Sequence, residues 1–214
     1  KVRREFGGLQ INWLAEHYAT QFDISLSNDG KNWERLYSVP VNSANISFIR
    51  LAEAEANFIK LNFAANKNNK AVGISEIRLL GIKQSLSPND FFIFAAKNST
   101  EGDYPRSFLE QASYWTISGV NNDVKEAMIN EDGMVEVDKA KFSIEPVIKF
   151  NNKVYNWSNV SSNQSLGNSN GFSFTPTVDW HFADLQLTTS ICSSGEANKS
   201  SKLDIRYYLT NNSS

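Results

Sequence analysis

The residues best equipped for chemistry in this 214-residue chain are five tryptophans, scattered carboxylates, two histidines and one cysteine. The tryptophans come first, because an indole plane presents a large apolar face with one polar handle and is suited to stacking against the C–H face of a sugar. Trp13 and Trp33 stand beside strand-like runs and read as core packing. Trp115 alternates with Tyr114, so one of the two faces outward; Trp157 opens a polar stretch, and Trp180 adjoins His181. Trp115, Trp157 and Trp180 are therefore the candidate ligand-binding residues.

The other groups assemble no reaction. Hydrolysis of a glycosidic bond needs two carboxyl groups about 5–10 Å apart. Glu131 and Asp132 are adjacent in a turn sequence, Glu145 and Asp179 are isolated, and nothing in the spacing selects a pair. His17 and His181 have no partner at zinc-ligand spacing. Asn28, Asp29 and Asn32 surround Gly30 with oxygens, but not at the spacing of a calcium loop, and read as a β-turn. Cys192 lies out of phase with Leu185, Leu187, Thr189 and Ile191, without a neighbouring base, and reads as an idle thiol. With no Gly-x-Ser-x-Gly, phosphate loop or dinucleotide fingerprint either, no catalytic, metal or cofactor residue is assigned.

Composition narrows the partners. The formal charge is 21 − 23 = −2, which supplies no field for a phosphate backbone, so nucleic acid is set aside. No apolar run approaches the roughly 20 residues that span a bilayer, and a membrane is not an expected partner. Lys1 to Phe6 is basic without a following apolar stretch, so an export signal is expected upstream. A single cysteine permits no intrachain disulfide. The sequons Asn98-Ser-Thr and Asn156-Trp-Ser matter only in a host that glycosylates them. A disulfide-free, Asn-rich chain of this kind points to an exported bacterial protein: periplasmic, cell-surface or extracellular.

The elements that must position these residues are strands. Phe22, Ile24 and Leu26 alternate with polar neighbours up to Asn28-Asp29-Gly30, a turn whose residues tolerate positive φ. Ile59, Leu61 and Phe63 alternate likewise, as do Ile77 and Leu79. Ser85 to Asp90 carries breakers and reads as a junction, after which the apolar run Phe91–Ala96 is expected to open a second block. Strands follow at 113–118, 134–137, 142–150, 185–191 and 203–209, the last with Leu203, Ile205, Tyr207 and Leu209 on one face. Hairpin turns fall at Asp132-Gly133 and Asn151-Asn152. Ser158–Gly171 reads as a long surface loop or mobile segment, Arg106–Ala112 as one short helix, and Lys125–Asn130 is ambiguous. The fold class is all-β, with two β-sandwich units over 1–82 and 91–214 and a junction at 83–90.

The first block carries a specific series: Phe6-Gly7-Gly8-Leu9-Gln10-Ile11-Asn12-Trp13, then Ala19-x-x-Phe22-x-Ile24-x-x-Ser27-x-Asp29-Gly30-x-x-Trp33, Phe58-Ile59-Lys60-Leu61 and Gly73-Ile74-Ser75-Glu76-Ile77. In order and spacing it resembles the later half of a discoidin-like (factor V/VIII type C) domain, the fold shared with many carbohydrate-binding modules. The resemblance implies a truncated jelly roll whose first strands have no counterpart here. It allows a structural Ca2+, whose site would lie mostly in that missing portion. In the second block Tyr104-Pro105-Arg106, Ser113-Tyr114-Trp115-Thr116, Ile129 to Gly133 and Phe142 to Pro146 resemble the accessory sandwich ahead of (α/α)6-barrel glycosidases. These likenesses imply a non-catalytic carbohydrate-binding and scaffolding segment of an exported glycoside-hydrolase-like protein. Its partners would be a glycan or polysaccharide and an adjacent catalytic domain on the same polypeptide. The alternative is a discoidin-like adhesion or surface-interaction module without a sugar site.

Overall fold

The computed structural model describes residues 4–139, 141–169, 173–196, 198–199 and 201–213, the side chains of 69, 168, 169 and 173 excepted. The chain is all-β in its main elements and divides into two compact units, Lys1–Ser99 and Thr100–Ser214.

Unit 1 comprises β1 (Arg4–Trp13), β2 (Ala19–Ser27), β3 (Glu34–Val39), β4 (Ile46–Ala56), β5 (Phe58–Asn66), β6 (Ile74–Leu80) and helix α1 (Pro88–Lys97). Two antiparallel three-stranded sheets form, in the orders β4-β1-β6 and β3-β2-β5. The alternation of Phe22 and Ile24 does what a half-buried strand requires: both are fully buried, against Leu9, Ile11 and Trp13 from β1. Trp13 meets Phe22 edge to face at 5.4 Å and donates its indole N–H to Ser47 Oγ at 2.8 Å. It is a core residue, as its place in the pattern predicted.

The run Phe91–Ala96 is helical and belongs to unit 1, contrary to the expectation that it opens the second block. The breakers before it are start signals. Ser87 caps the helix by accepting from Asp90 N at 3.1 Å, Asp90 Oδ2 accepts back from Ser87 N at 3.1 Å, and Pro88 occupies the first turn. Phe94 then packs edge-on against Phe48 of β4, centroids 6.2 Å apart.

Unit 2 comprises β7 (Trp115–Gly119), β8 (Glu126–Asn130), β9 (Val135–Val137), β10 (Phe142–Ile144), β11 (Ile148–Phe150), β12 (Lys153–Tyr155), β13 (Ser161–Ser169), β14 (Ser173–Phe182), β15 (Leu185–Ser194) and β16 (Lys202–Asn211). Antiparallel sheets of order β10-β9-β8-β7 and β13-β14-β15-β16 share one core with the β11–β12 hairpin; Ile129, Val135, Val178, Trp180 and Ile191 are its most buried members. Three expectations change here. Ser161–Ser169, read as loop, is an edge strand paired along β14: its polar side chains are tolerated because the backbone ladder, rather than an apolar face, holds it. The 142–150 strand is split by Glu145-Pro146-Val147, since proline donates no ladder bond. Within 106–112 only Arg106–Leu109 is helical, as a short 3-10 turn. The ambiguous 125–130 segment is β8. At the Asn151-Asn152 hairpin both residues take positive φ, 49° and 61°, as such a two-residue turn demands.

Candidate functional site

Two clusters of polar and aromatic side chains, one in unit 1 and one in unit 2, are built in opposite ways. In unit 1 the turn after β2 is organised by Asp29. Its Oδ1 accepts from Ser27 Oγ (2.9 Å), Lys31 N (2.8 Å) and Asn32 N (2.8 Å), and its Oδ2 accepts from Asn32 Nδ2 (2.7 Å). Bonds from the Asn32 and Lys31 amides and the two side chains hold the Asp29 carboxyl well below the usual carboxylate range. Gly30 sits at φ +74°, beside the Phe58 ring. The turn is therefore a β-turn satisfied by its own donors, as the spacing indicated, and it delivers Trp33 to the surface.

Trp33 is half-buried, with Phe58 edge-on at 6.5 Å and Lys60 Nζ 4.3 Å from its ring centroid. It lines an open cleft of about 440 Å³ together with Asn28, Asn32, Glu34 and Glu55. One aromatic plane bordered by amides and carboxylates is the composition of a shallow polyol site: the ring supplies apolar contact and the polar groups supply direction. Sequence reasoning placed Trp33 in the core beside Trp13; the signal it lacked is that the residue follows a turn and lies half-buried at the edge of a cleft.

In unit 2 the structure brings together residues that the sequence left scattered. Asp132 is 1% exposed and takes two 2.6 Å bonds from Arg106, through Nε and Nη2. Arg106 Nη1 lies 3.4 Å from Glu131 Oε1, and Glu131 Oε2 accepts from Tyr114 N at 2.8 Å. The guanidinium stacks over Trp157 at 4.9 Å, and Trp157 donates its indole N–H to Tyr104 O at 2.8 Å. Trp180 donates to Asp132 O at 3.0 Å. Asn130 Oδ1 accepts from the backbone N–H of both Asp132 and Met134, closing the turn in which Gly133 takes φ +76°.

Glu145 completes the cluster. Its Oε1 is buried without a hydrogen-bond partner among the described residues. Burial, then the negative charge of Asp132, push its carboxyl up to about 7, with Arg106 pulling the other way. Asp132 and Glu131 contact the guanidinium directly, and Glu145 lies within its field without bonding to it. Asp132 is fully engaged by Arg106, so the cluster is an internal network rather than a pair flanking an open cleft.

The three tryptophans proposed from sequence separate accordingly. Trp157 and Trp180 are 7% and 1% exposed, so the expectation that they present ring faces outward is corrected: each indole N–H finds a backbone carbonyl inside the unit, which lets the whole ring be buried. Trp115 is half-buried on β7 while Tyr114 is 73% exposed, so the outward member of that alternating pair is the tyrosine. Asp179 accepts from Gln186 Nε2 and Thr188 Oγ1 across the sheet. His17 contacts Ala71 O, and among the described residues no group of His, Cys, Asp or Glu is arranged for a metal ion. Cys192 is exposed on the outer face of β15. Of the two sequons, Asn156 is buried, with its Oδ1 accepting from Ser158 N and Oγ.

No protein-family model and no curated protein matches the chain. Among solved structures it is similar to chitosan-binding module 2 of a chitosanase/glucanase from Paenibacillus sp. IK-5, solved in complex with chitotriose: 26% identity over 37% of this chain and 63% of that one, TM-score 0.33. It is similar also to chitosan-binding module 1 of the same enzyme, at 20% identity, the same coverage and the same score. The chain spans 63% of the length of these modules, and at that score the likeness assigns neither fold nor ligand.

Proposed function

We propose that this chain is a non-catalytic carbohydrate-binding and scaffolding segment, and that glycan sits in the Trp33 cleft of unit 1. The observation that carries this reading is the half-open Trp33 ring, set in a cleft with Asn28, Asn32 and Glu34 on a turn made rigid by Asp29. A site that is rigid before binding loses little entropy on contact, but one aromatic plane in an open cleft makes few contacts, so each sugar is held weakly and useful affinity comes from multivalency. Unit 2, whose aromatic and charged groups are spent on internal bonds, is the scaffold. In this reading the parent is an exported glycoside-hydrolase-like protein whose catalytic domain lies elsewhere on the same polypeptide, and the segment holds that domain near its substrate.

Titration calorimetry and affinity electrophoresis against a panel of soluble glycans, with amino-sugar oligomers beside neutral ones, test the assignment. Trp33→Ala is expected to reduce affinity at least tenfold while the melting of unit 2 is unchanged. Binding that survives Trp33→Ala and is lost in Trp115→Ala would move the site to unit 2.

A further inference from the structure

The charged groups of unit 2 that meet around Arg106 are engaged with one another, but those on the outer face of the β13-β14-β15-β16 sheet are not. Val178 and Trp180 of β14 and Leu187 and Thr189 of β15 are buried in the core, so the residues between them point outward. Cross-strand pairing sets these outward residues in rows. One row crosses all four strands, with Asn163 opposite Asp179, Asp179 opposite Thr188, and Thr188 opposite Tyr208. The row on one side includes His181 and Gln186, and the row on the other ends in Arg206. None of the three rows contains an aliphatic side chain. The opposite sheet is finished differently: Thr116 and Ser118 of β7 turn inward to bond Gln164 and Ser193, which leaves Trp115 and Ile117 on the outside, the latter 61% exposed.

Asp179 is the fixed centre of the polar face. Its Oδ1 accepts from Gln186 Nε2 at 3.0 Å and from Thr188 Oγ1 at 2.5 Å, and its Oδ2 takes no bond among the described residues. Around it Asn163, His181 and Arg206 are exposed and make no side-chain hydrogen bond among the described residues. Tyr208, in the same row as Asp179, is 59% exposed. An oriented carboxylate with one open oxygen, amide and guanidinium donors beside it, and one exposed ring match the neighbouring hydroxyls and the C–H face of a sugar. We propose that this face is a second glycan-binding surface, taking an internal stretch of an extended neutral polysaccharide laid across the strands. Strands about 4.8 Å apart give the Asn163–Tyr208 row a span of about 14 Å, longer than a single sugar ring. A flat face has no wall to select a chain end. Asp179 and Arg206 offset each other in charge, so the face offers no field to a polyanion. It also lacks the apolar centre that a protein partner requires. The surface shares no residue with the Trp33 cleft, and it supplies the further weak contact through which multivalency raises affinity.

Affinity electrophoresis of the whole chain through gels containing hydroxyethylcellulose, xylan or laminarin tests the assignment. At least one polymer should retard the chain. Tyr208→Ala should weaken that retardation about tenfold, and Tyr208→Phe, which keeps the ring, should retain most of it. Trp33→Ala should leave a residual retardation that disappears when Tyr208→Ala is added. Retardation by no polymer, complete loss in Trp33→Ala alone, or indifference to Tyr208→Ala in both backgrounds overturns the proposal. Loss in Tyr208→Ala with no effect of Trp33→Ala supports this surface and removes the Trp33 cleft instead. Amide shifts of the wild-type chain, titrated with oligomers of the retarding polymer, keep the proposal testable if Tyr208→Ala fails to fold. They should centre on Asn163, Asp179, Thr188 and Tyr208, and shifts confined to the Trp115–Gly119 strand overturn it.

Discussion

Trp33 in unit 1 and Trp180 in unit 2 look alike in the sequence, each next to a polar turn or residue, and they end in opposite places. Trp180 lies on a central strand whose partner turn offers Asp132 O to its indole, and it disappears into the core. Trp33 follows the turn that Asp29 holds together and lies half-buried at the rim of a cleft, edge-on to Phe58. What separates them is position: on the central strand a backbone carbonyl meets the indole N–H and the whole ring can be buried, whereas the ring that follows the turn borders the cleft. Unit 1 thus has a self-contained turn that presents a surface, and unit 2 has a charged network turned inward.

The sharpest way to break the comparison is to remove the centre of the inward network. Asp132→Ala leaves Arg106 without its bidentate partner and opens a hole beneath Trp157 and Trp180. Unit 2 should lose about 3–5 kcal/mol, the usual cost of breaking a buried pair from one side. Urea denaturation followed by tryptophan fluorescence should show an early transition for unit 2, with glycan affinity at Trp33 preserved through that transition. If glycan binding fell in parallel with the loss of folded unit 2, the two clusters would not be separate in function.

The second test uses protons. Glu145 has a folded value of about 7 against an ordinary 4.5, so the folded unit holds a proton that the unfolded chain releases. Its stabilising contribution is complete below about pH 4.5 and is lost as pH rises through about 7. Unit 2 should therefore be less stable at pH 8 than at pH 5, by roughly 3 kcal/mol as an upper bound from that shift. Glu145→Gln, which keeps the shape and removes the charge, should flatten the pH profile and raise stability at pH 8. A wild-type profile already flat between pH 5 and 8 would show that Glu145 is ionised in the folded unit.

How far the sequence could be read divides along the same line. Period-2 runs such as Phe22–Leu26 and Leu185–Ile191, and turns such as Asn151-Asn152, were legible because strand pairing and turn geometry leave local residue signatures. Helix α1 was obscured because Ser87, Pro88 and Asp90 serve equally as loop breakers and as a helix start, and only the side-chain bonds tell which. β13 was obscured because an edge strand of Ser, Asn and Gln has no apolar period. The Arg106–Asp132–Glu145 network was invisible, since its members come from a 3-10 turn, a hairpin and an interstrand proline kink brought together only by the fold. Trp33 was placed in the core for the complementary reason: the motif around it resembles a core motif, and its half-buried place beside the cleft is a property of the fold.

The smallest effect expected is at Asp29, and it bears on the comparison through its sign. Its folded value is depressed by the Asn32 and Lys31 amides, so the turn keeps its full contribution above the ordinary aspartate range near pH 4 and yields only as pH falls through the lower folded value. Glycan affinity at Trp33 should accordingly be level from pH 7 to about pH 4.5, the same window in which unit 2 gains stability on acidification. Asp29→Asn keeps an Oδ1 acceptor for Ser27 and for the Lys31 and Asn32 amides, and loses the Oδ2 acceptor that Asn32 Nδ2 uses. Affinity should fall only a fewfold, roughly a third of the tenfold change on a free-energy scale, while Asp29→Ala, which removes every acceptor, should approach the loss seen in Trp33→Ala. Calorimetric titration at pH 7 and pH 4.5 for the three proteins separates the cases. Equal, large losses for Asn and Ala would mean that the carboxylate charge itself contacts the sugar, making Asp29 part of the binding surface as well as the frame beneath it.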